Sequence, residues 1–162
     1  MKINELPAHA RVWIYQADRA LTESEQQYLT NAALQFVGQW AAHGTPLTGT
    51  AEVLNNYFLV IGVDEEQAEA SGCSIDKSVH FVKAVGAELK VDFFNRMNIA
   101  VETDKIELVP LSNFETRVAE GKITPDTFVF DNTLTTAGSF TKSWHTKASA
   151  TWLSRYFTKQ TA

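Results

Sequence analysis

This sequence predicts an α+β fold: a single domain over residues 1–162, with a largely antiparallel or mixed sheet of about five to six strands covered by three to four helices. Two observations lead there. Strand-forming runs occur singly or as hairpins between helical stretches, not as regular strand–helix–strand repeats. A chain of 162 residues with 44% hydrophobic and 20% charged residues suits one core, and no repeat or composition break marks a boundary inside it.

The elements follow in order. Arg11 to Ala17 is rich in strand formers. Thr22 and Glu25 then have the spacing of a capping box, in which each side chain satisfies a backbone N–H of the first helical turn. Tyr28, Leu29, Ala32, Ala33, Phe36, Val37 and Trp40 share one broad face of that helix, and Gly44 is its expected terminator. Ala51–Leu54 and Tyr57–Val63 read as strands around Asn55-Asn56, a pair that tolerates positive φ. Phe58–Val63 is apolar throughout, which places it centrally in a sheet covered on both faces.

A second helix is expected from about Ile75 to Lys90. It buries Ile75, Val79, Val82, Val85, Gly86 and Leu89, and it carries Asp76, His80 and Lys83 on a different face. Ile99–Glu102 and Ile106–Val109 predict another hairpin through Thr103-Asp104-Lys105. Ser112 and Glu115 have capping-box spacing for a short helix ending at Gly121. Thr127–Phe130 is a last strand, and Thr133–Ser143 is rich in Thr, Ser and Gly and reads as a loop. A C-terminal helix would bring Trp144, Ala148, Trp152 and Tyr156 near one face.

Charge narrows the partners. A net charge of −5 argues against nucleic-acid binding. From Asn132 to Ala162 there is no Asp or Glu, while Lys142, Lys147, Arg155 and Lys159 make that segment +4 and the rest −9. The acidic cluster Asp64, Glu65, Glu66 and Glu69 is its natural counterpart, so the tail is expected to dock on the chain's own body. No apolar run approaches the roughly 20 residues that cross a bilayer. The N-terminus lacks a signal-peptide core, and one cysteine excludes an intrachain disulfide, so the expectation is a cytoplasmic protein.

Candidate chemistry centres on Ser71-Gly72-Cys73-Ser74-Ile75-Asp76-Lys77-Ser78, where an acidic loop meets a helix start. Unpaired N–H groups and the positive dipole end suit an anion there and lower a thiol pKa. Ser71, Ser74 and Ser78 offer hydroxyls, Gly72 permits close approach and Lys77 adds a cation. Asp76 competes with an anion, and serine at a helix start is ordinarily a cap. Cys73 is a candidate nucleophile, with His80 as a base oriented by Asp76, and otherwise a packing residue. Asp64 and Glu65 end an apolar strand and are candidates for general acid and base. The stretch is not a P-loop: Lys77-Ser78 supplies the last pair, but Ser71 and Asp76 stand at the glycine positions. His43 and Arg96 complete the set, Arg96 as a clamp for carboxylate or phosphate. No ligand spacing predicts a zinc site, and no cofactor is expected.

Trp40-Ala41-Ala42-His43-Gly44, Val63-Asp64-Glu65, Ser71–Ser78 and Phe94-Asn95-Arg96 together resemble a small family of uncharacterised bacterial cytoplasmic proteins, sometimes labelled ABC transporter ATPases. The resemblance spans about the first two thirds of the chain and hands over no catalytic residue; the missing Walker A motif speaks against the label. Two functions are therefore weighed. One is a domain binding a small anionic molecule, with catalysis open, at the Asp64-Glu65 strand end and the Ser71–Ser78 turn. The alternative is a non-catalytic protein-interaction module using the aromatic, basic C-terminal segment, whose residues could equally build a homodimer.

Overall fold

The most apolar run of the sequence becomes the centre of a sheet. In the computed structural model, which describes residues 1–42, 45–46, 48–65 and 72–158, the chain is α+β and its strands pair antiparallel. It gathers into two compact units, Met1–Asn95 with Thr133–Thr141, and Arg96–Asn132 with Lys142–Ala162. The strands divide between a sheet of three, a sheet of four and one short ribbon, where the sequence suggests one sheet.

In the first unit, β1 (Arg11–Gln16) leads to α1 (Glu23–Gln39), the ribbon of β2 (Ala41–Ala42) and β3 (Thr45–Pro46), β4 (Thr48–Leu54), β5 (Phe58–Asp64) and α2 (Gly72–Leu89). The sheet order is β1-β5-β4, with Trp13 opposite Ile61 and Ala51 also opposite Ile61. Every residue from Phe58 to Val63 is buried, as a strand covered on both faces requires. Leu59, Ile61 and Val63 pack with Leu29, Ala33 and Val37 of α1 and Val82 and Val85 of α2. On the other face Ile3 and Leu6 come so close to Gly62 that a Cβ there would lie 2.9 and 2.7 Å from their methyl groups.

Local chemistry explains the boundaries. The Thr22–Glu25 capping box forms, and Arg19 reaches the same carboxylate through two bonds of 2.9 and 2.8 Å. Arg19, the Thr22 N–H and the Thr22 hydroxyl hold the Glu25 carboxyl down at about 2. Asn55 and Asn56 take φ of 53° and 68°, and the Tyr57 N–H donates to the Leu54 carbonyl at 3.2 Å, closing the turn between β4 and β5. α1 ends at Gln39 rather than near Gly44, because Trp40 is already extended at the C-cap and leads into β2; Gly44 lies outside the described residues. α2 begins at Gly72, earlier than expected, and ends where Lys90 turns left-handed at φ 59°. The Val91 N–H then reaches back to the Gly86 carbonyl at 2.8 Å.

In the second unit, β6 (Asn98–Glu102) and β7 (Ile106–Pro110) form the expected hairpin, followed by α3 (Leu111–Ala119) and β8 (Phe128–Phe130). α4 (Ala137–Ser143) starts in the first unit's return segment, and β9 (His145–Lys147) and α5 (Arg155–Thr158) complete the chain's elements. The sheet order is β7-β6-β8-β9. Ile99, Val101, Val109 and Val129 meet Phe114 and Val118 of α3 and Leu153 near the C-terminus.

Three expectations are corrected here. α3 starts at Leu111 with Pro110 at its N-cap and no side-chain cap, so the Ser112–Glu115 box does not form: proline presets the backbone and the Leu111 N–H is already held by the Met97 carbonyl at 2.6 Å. The end is as expected: Gly121 takes φ 75°, and the Gly121 and Lys122 N–H groups return to the Val118 and Arg117 carbonyls, both at 3.0 Å. The Thr133–Ser143 stretch holds α4, opened by Thr136, whose hydroxyl accepts the Ser139 N–H at 3.2 Å. The C-terminal segment is not one helix. His145–Lys147 pairs with β8, and two 3-10 turns separate it from α5, with Thr151 extended and its hydroxyl accepting the Leu153 N–H at 3.1 Å.

Candidate functional site

Asp64 ends β5 and Glu65 follows it, each partly buried and each facing a basic side chain at or just before the start of β1. His9 Nε2 lies 3.8 Å from Asp64 Oδ1, and the Arg11 guanidinium lies 3.4 Å from Glu65 Oε1. The same guanidinium sits 4.8 Å from the centre of the Trp13 ring. These carboxylates are thus partnered, and an ion pair of the exposure of Arg11–Glu65 contributes about 0–1 kcal/mol.

On α2, Gly72 opens the helix, while Asp76, Lys77 and His80 are exposed along it. Asp76 and His80 do not pair with one another among the described residues. Ser78 departs from its expected role. It is buried, and its hydroxyl donates to the Ile75 carbonyl of its own helix at 2.6 Å, which leaves it a packing residue. Ser71 and His43 lie outside the described residues, as do the side chains of Cys73 and Ser74. Arg96 is exposed and belongs to the second unit, whereas the other candidates belong to the first.

A concave feature of the first unit lies at the other end of α2. Val82, Lys83 and Gly86 form one wall of a groove of about 380 Å³, and the chain from Val91 to Phe94 forms the other. Gly86 makes it: a Cβ there would stand 2.7 Å from the Val91 carbonyl oxygen, so only glycine lets this strand of chain lie across the helix. Val82, Val91 and Phe93 are buried and give an apolar floor. Phe94 is 37% exposed, with Tyr15 edge-on at 5.6 Å between ring centres. Lys83 places its ammonium 5.8 Å from the Phe94 ring centre.

The rim is anchored by hydrogen bonds. Asp92 Oδ1 accepts the Phe94 N–H at 2.8 Å, and Asp18 Oδ1 accepts the Asp92 N–H at 3.0 Å. The helix end is closed by Arg19, which donates to the Leu89 carbonyl at 2.7 Å. Sequence reasoning placed Lys83 off the buried stripe but gave no role to Asp92 or Phe94. The signal was the aromatic pair Phe93-Phe94 directly after the helix; which ring faces outward depends on the reversal at Lys90, which no residue preference announces.

The second unit carries a different constellation. His145 Nε2 lies 2.7 Å from Glu102 Oε1, and the imidazole stacks on Phe128 and Phe130 at 4.8 and 4.9 Å between ring centres. Glu102 is on β6 and His145 on β9, so the bond spans the intervening β8. Asp131 and Asn132, at the end of β8, hold Trp144: its carbonyl accepts the Asp131 N–H at 2.7 Å and its indole N–H donates to Asn132 Oδ1 at 3.0 Å. Of the basic tail, Lys147 pairs with Asp126 at 3.5 Å and Arg155 lies over the Trp152 and Tyr156 rings at 5.3 and 5.1 Å.

Among the described residues no group of three or more His, Cys, Asp and Glu gathers to hold a metal ion, and no helix is long and apolar enough to cross a membrane. Compared with family profiles, with curated proteins and with solved structures, the chain finds no match.

Proposed function

We propose that the first unit is a binding domain for a small molecule, and that its site is the groove along the last two turns of α2. This keeps the class of function expected from the sequence and moves the site from the start of α2 to its end. The observation that carries the reading is the groove itself. Its volume of about 380 Å³ falls within the range of small-molecule pockets, and it joins an apolar floor to a few charged groups, Lys83 and Asp92, at the rim. The walls are held in place by the Val91 N–H on the Gly86 carbonyl and the Phe94 N–H on the Asp92 carboxylate, so little ordering remains to oppose binding.

The reading is non-catalytic. The groove residues offer no nucleophile beside a base; they offer shape, a ring face and opposite charges. A soluble fragment library screened by two-dimensional amide NMR tests it. Fragments are expected to move the amides of 82–86 and 91–94, and Phe94→Ala is expected to abolish those shifts while leaving the rest of the spectrum intact, since Phe94 is partly exposed. Hits that cluster elsewhere, or that are indifferent to Phe94→Ala, would refute the site.

A further inference from the structure

We infer that the groove at the end of α2 selects an organic cation: an ammonium group, primary to quaternary, carried on a small apolar body. The inference rests on the binding reading above and adds the sign of the ligand. Four observations point the same way.

First, the Phe94 ring already holds a cation. Lys83 brings its ammonium to 5.8 Å from the ring centre, within the roughly 6 Å over which a ring's negative face attracts positive charge. The side chain is an internal stand-in, long and flexible enough to swing out into water when a ligand ammonium takes its place. Second, the rim carries a carboxylate, Asp92, with Asp18 bonded to its backbone. Asp92 and Asp18 are fixed in series by the Asp92 N–H and the Phe94 N–H, and each keeps a second oxygen as acceptor. Third, this is the carbonyl end of an 18-residue helix, where the dipole favours positive charge; Arg19 already answers it at the Leu89 carbonyl. Fourth, the unit as a whole attracts cations, with six Lys and Arg against twelve Asp and Glu. Against these stands the positive charge of Lys83 itself, which the ligand must displace. The apolar floor of Val82, Val91 and Phe93 accepts the body of the ligand.

The test compares three probes of like size at constant ionic strength: benzyltrimethylammonium, benzyl alcohol and phenylacetate. Amide shifts at Gly86 and at 91–94 report occupancy of the groove. The cation is expected to bind more tightly than the other two. Lys83→Met is expected to tighten it by about two- to fivefold, because the stand-in is gone, and Phe94→Leu to weaken it by a similar factor. Asp92→Asn, which keeps the acceptor for the Phe94 N–H, is expected to weaken the cation and to leave benzyl alcohol unchanged. Tighter binding of phenylacetate, lost in Lys83→Met, would overturn the cation while leaving the groove as the site. Equal binding of all three would also overturn the charge preference. Silence of all three at these amides, with the fragment screen equally silent there, would overturn both readings.

Discussion

The two units build their sheets on different terms. In the first, β5 is apolar and buried from Phe58 to Val63, and the polar residues opposite it, Gln16 of β1 and Thr50 and Glu52 of β4, stand on its neighbours. Polar chemistry is displaced to the ends of elements: His9, Arg11, Asp64 and Glu65 where β1 begins and β5 stops, and Lys83, Asp92 and Phe94 where α2 stops. In the second, one face carries the core of Ile99, Val101, Val109 and Val129, and the opposite face carries Glu102, Phe128, Phe130, His145 and Lys147 in register. A sheet with a polar face can join strands through side chains, as His145 and Glu102 do across β8. A central strand apolar on both faces leaves polar chemistry to its neighbours and to the margins of the sheet.

Core deletions in each unit test that contrast most severely. Phe114→Ala in α3 is expected to cost about 3–5 kcal/mol and Ile61→Ala in β5 about 2–5 kcal/mol, since both side chains are fully buried. Amide hydrogen exchange read separately at β6 and at β5 checks them. Removing the polar staple by Glu102→Gln should cost less than either, and a cost as large as a core deletion would erase the distinction between the two sheets. Gly86→Ala comes next. Its added methyl meets a backbone oxygen at 2.7 Å, so a loss of about 1–3 kcal/mol is expected, measured by denaturant unfolding, with the fragment shifts at 91–94 lost as well.

The smallest effect concerns acid. Glu25 is held at about 2 by Arg19 and by the N–H and hydroxyl of the N-cap Thr22, against an ordinary value of 4.5. Its folded-state pKa is depressed, so the stabilisation is present in full above pH 4.5 and fades as pH falls from there towards 2. Glu25→Gln should flatten the acid limb of a stability–pH curve across that window and leave the limb above it unchanged in slope. In the second unit Glu107 is likewise held low, by Arg117 at 2.8 Å, and Glu107→Gln is the control for a pair that caps no helix.

What could be read from the sequence was what short-range chemistry dictates. The capping box at Thr22, the Asn55-Asn56 turn, the left-handed Gly121 and the buried β5 run are each settled by residues close together in the chain. The errors fell where several signals competed. Proline at 110 overrode the Ser112 cap, Thr136 opened a helix inside a stretch whose composition reads as loop, and pairing with β8 drew His145–Lys147 out of an apparent helical stripe. The groove was hidden for a related reason. It depends on Lys90 adopting a left-handed turn without glycine or asparagine and on Gly86 accepting a carbonyl from beyond the helix end, and neither is a local preference.

The outermost strands of the four-stranded sheet have a bearing on life at high concentration. β9 is only three residues long, with the polar His145 and the charged Lys147 at its ends, and β7 finishes on Pro110, which has no N–H to lend. Neither rim gives a stranger's backbone a long, flat template to zip onto. A solution of this protein should therefore resist fibre growth seeded from that sheet even when its molecules are crowded.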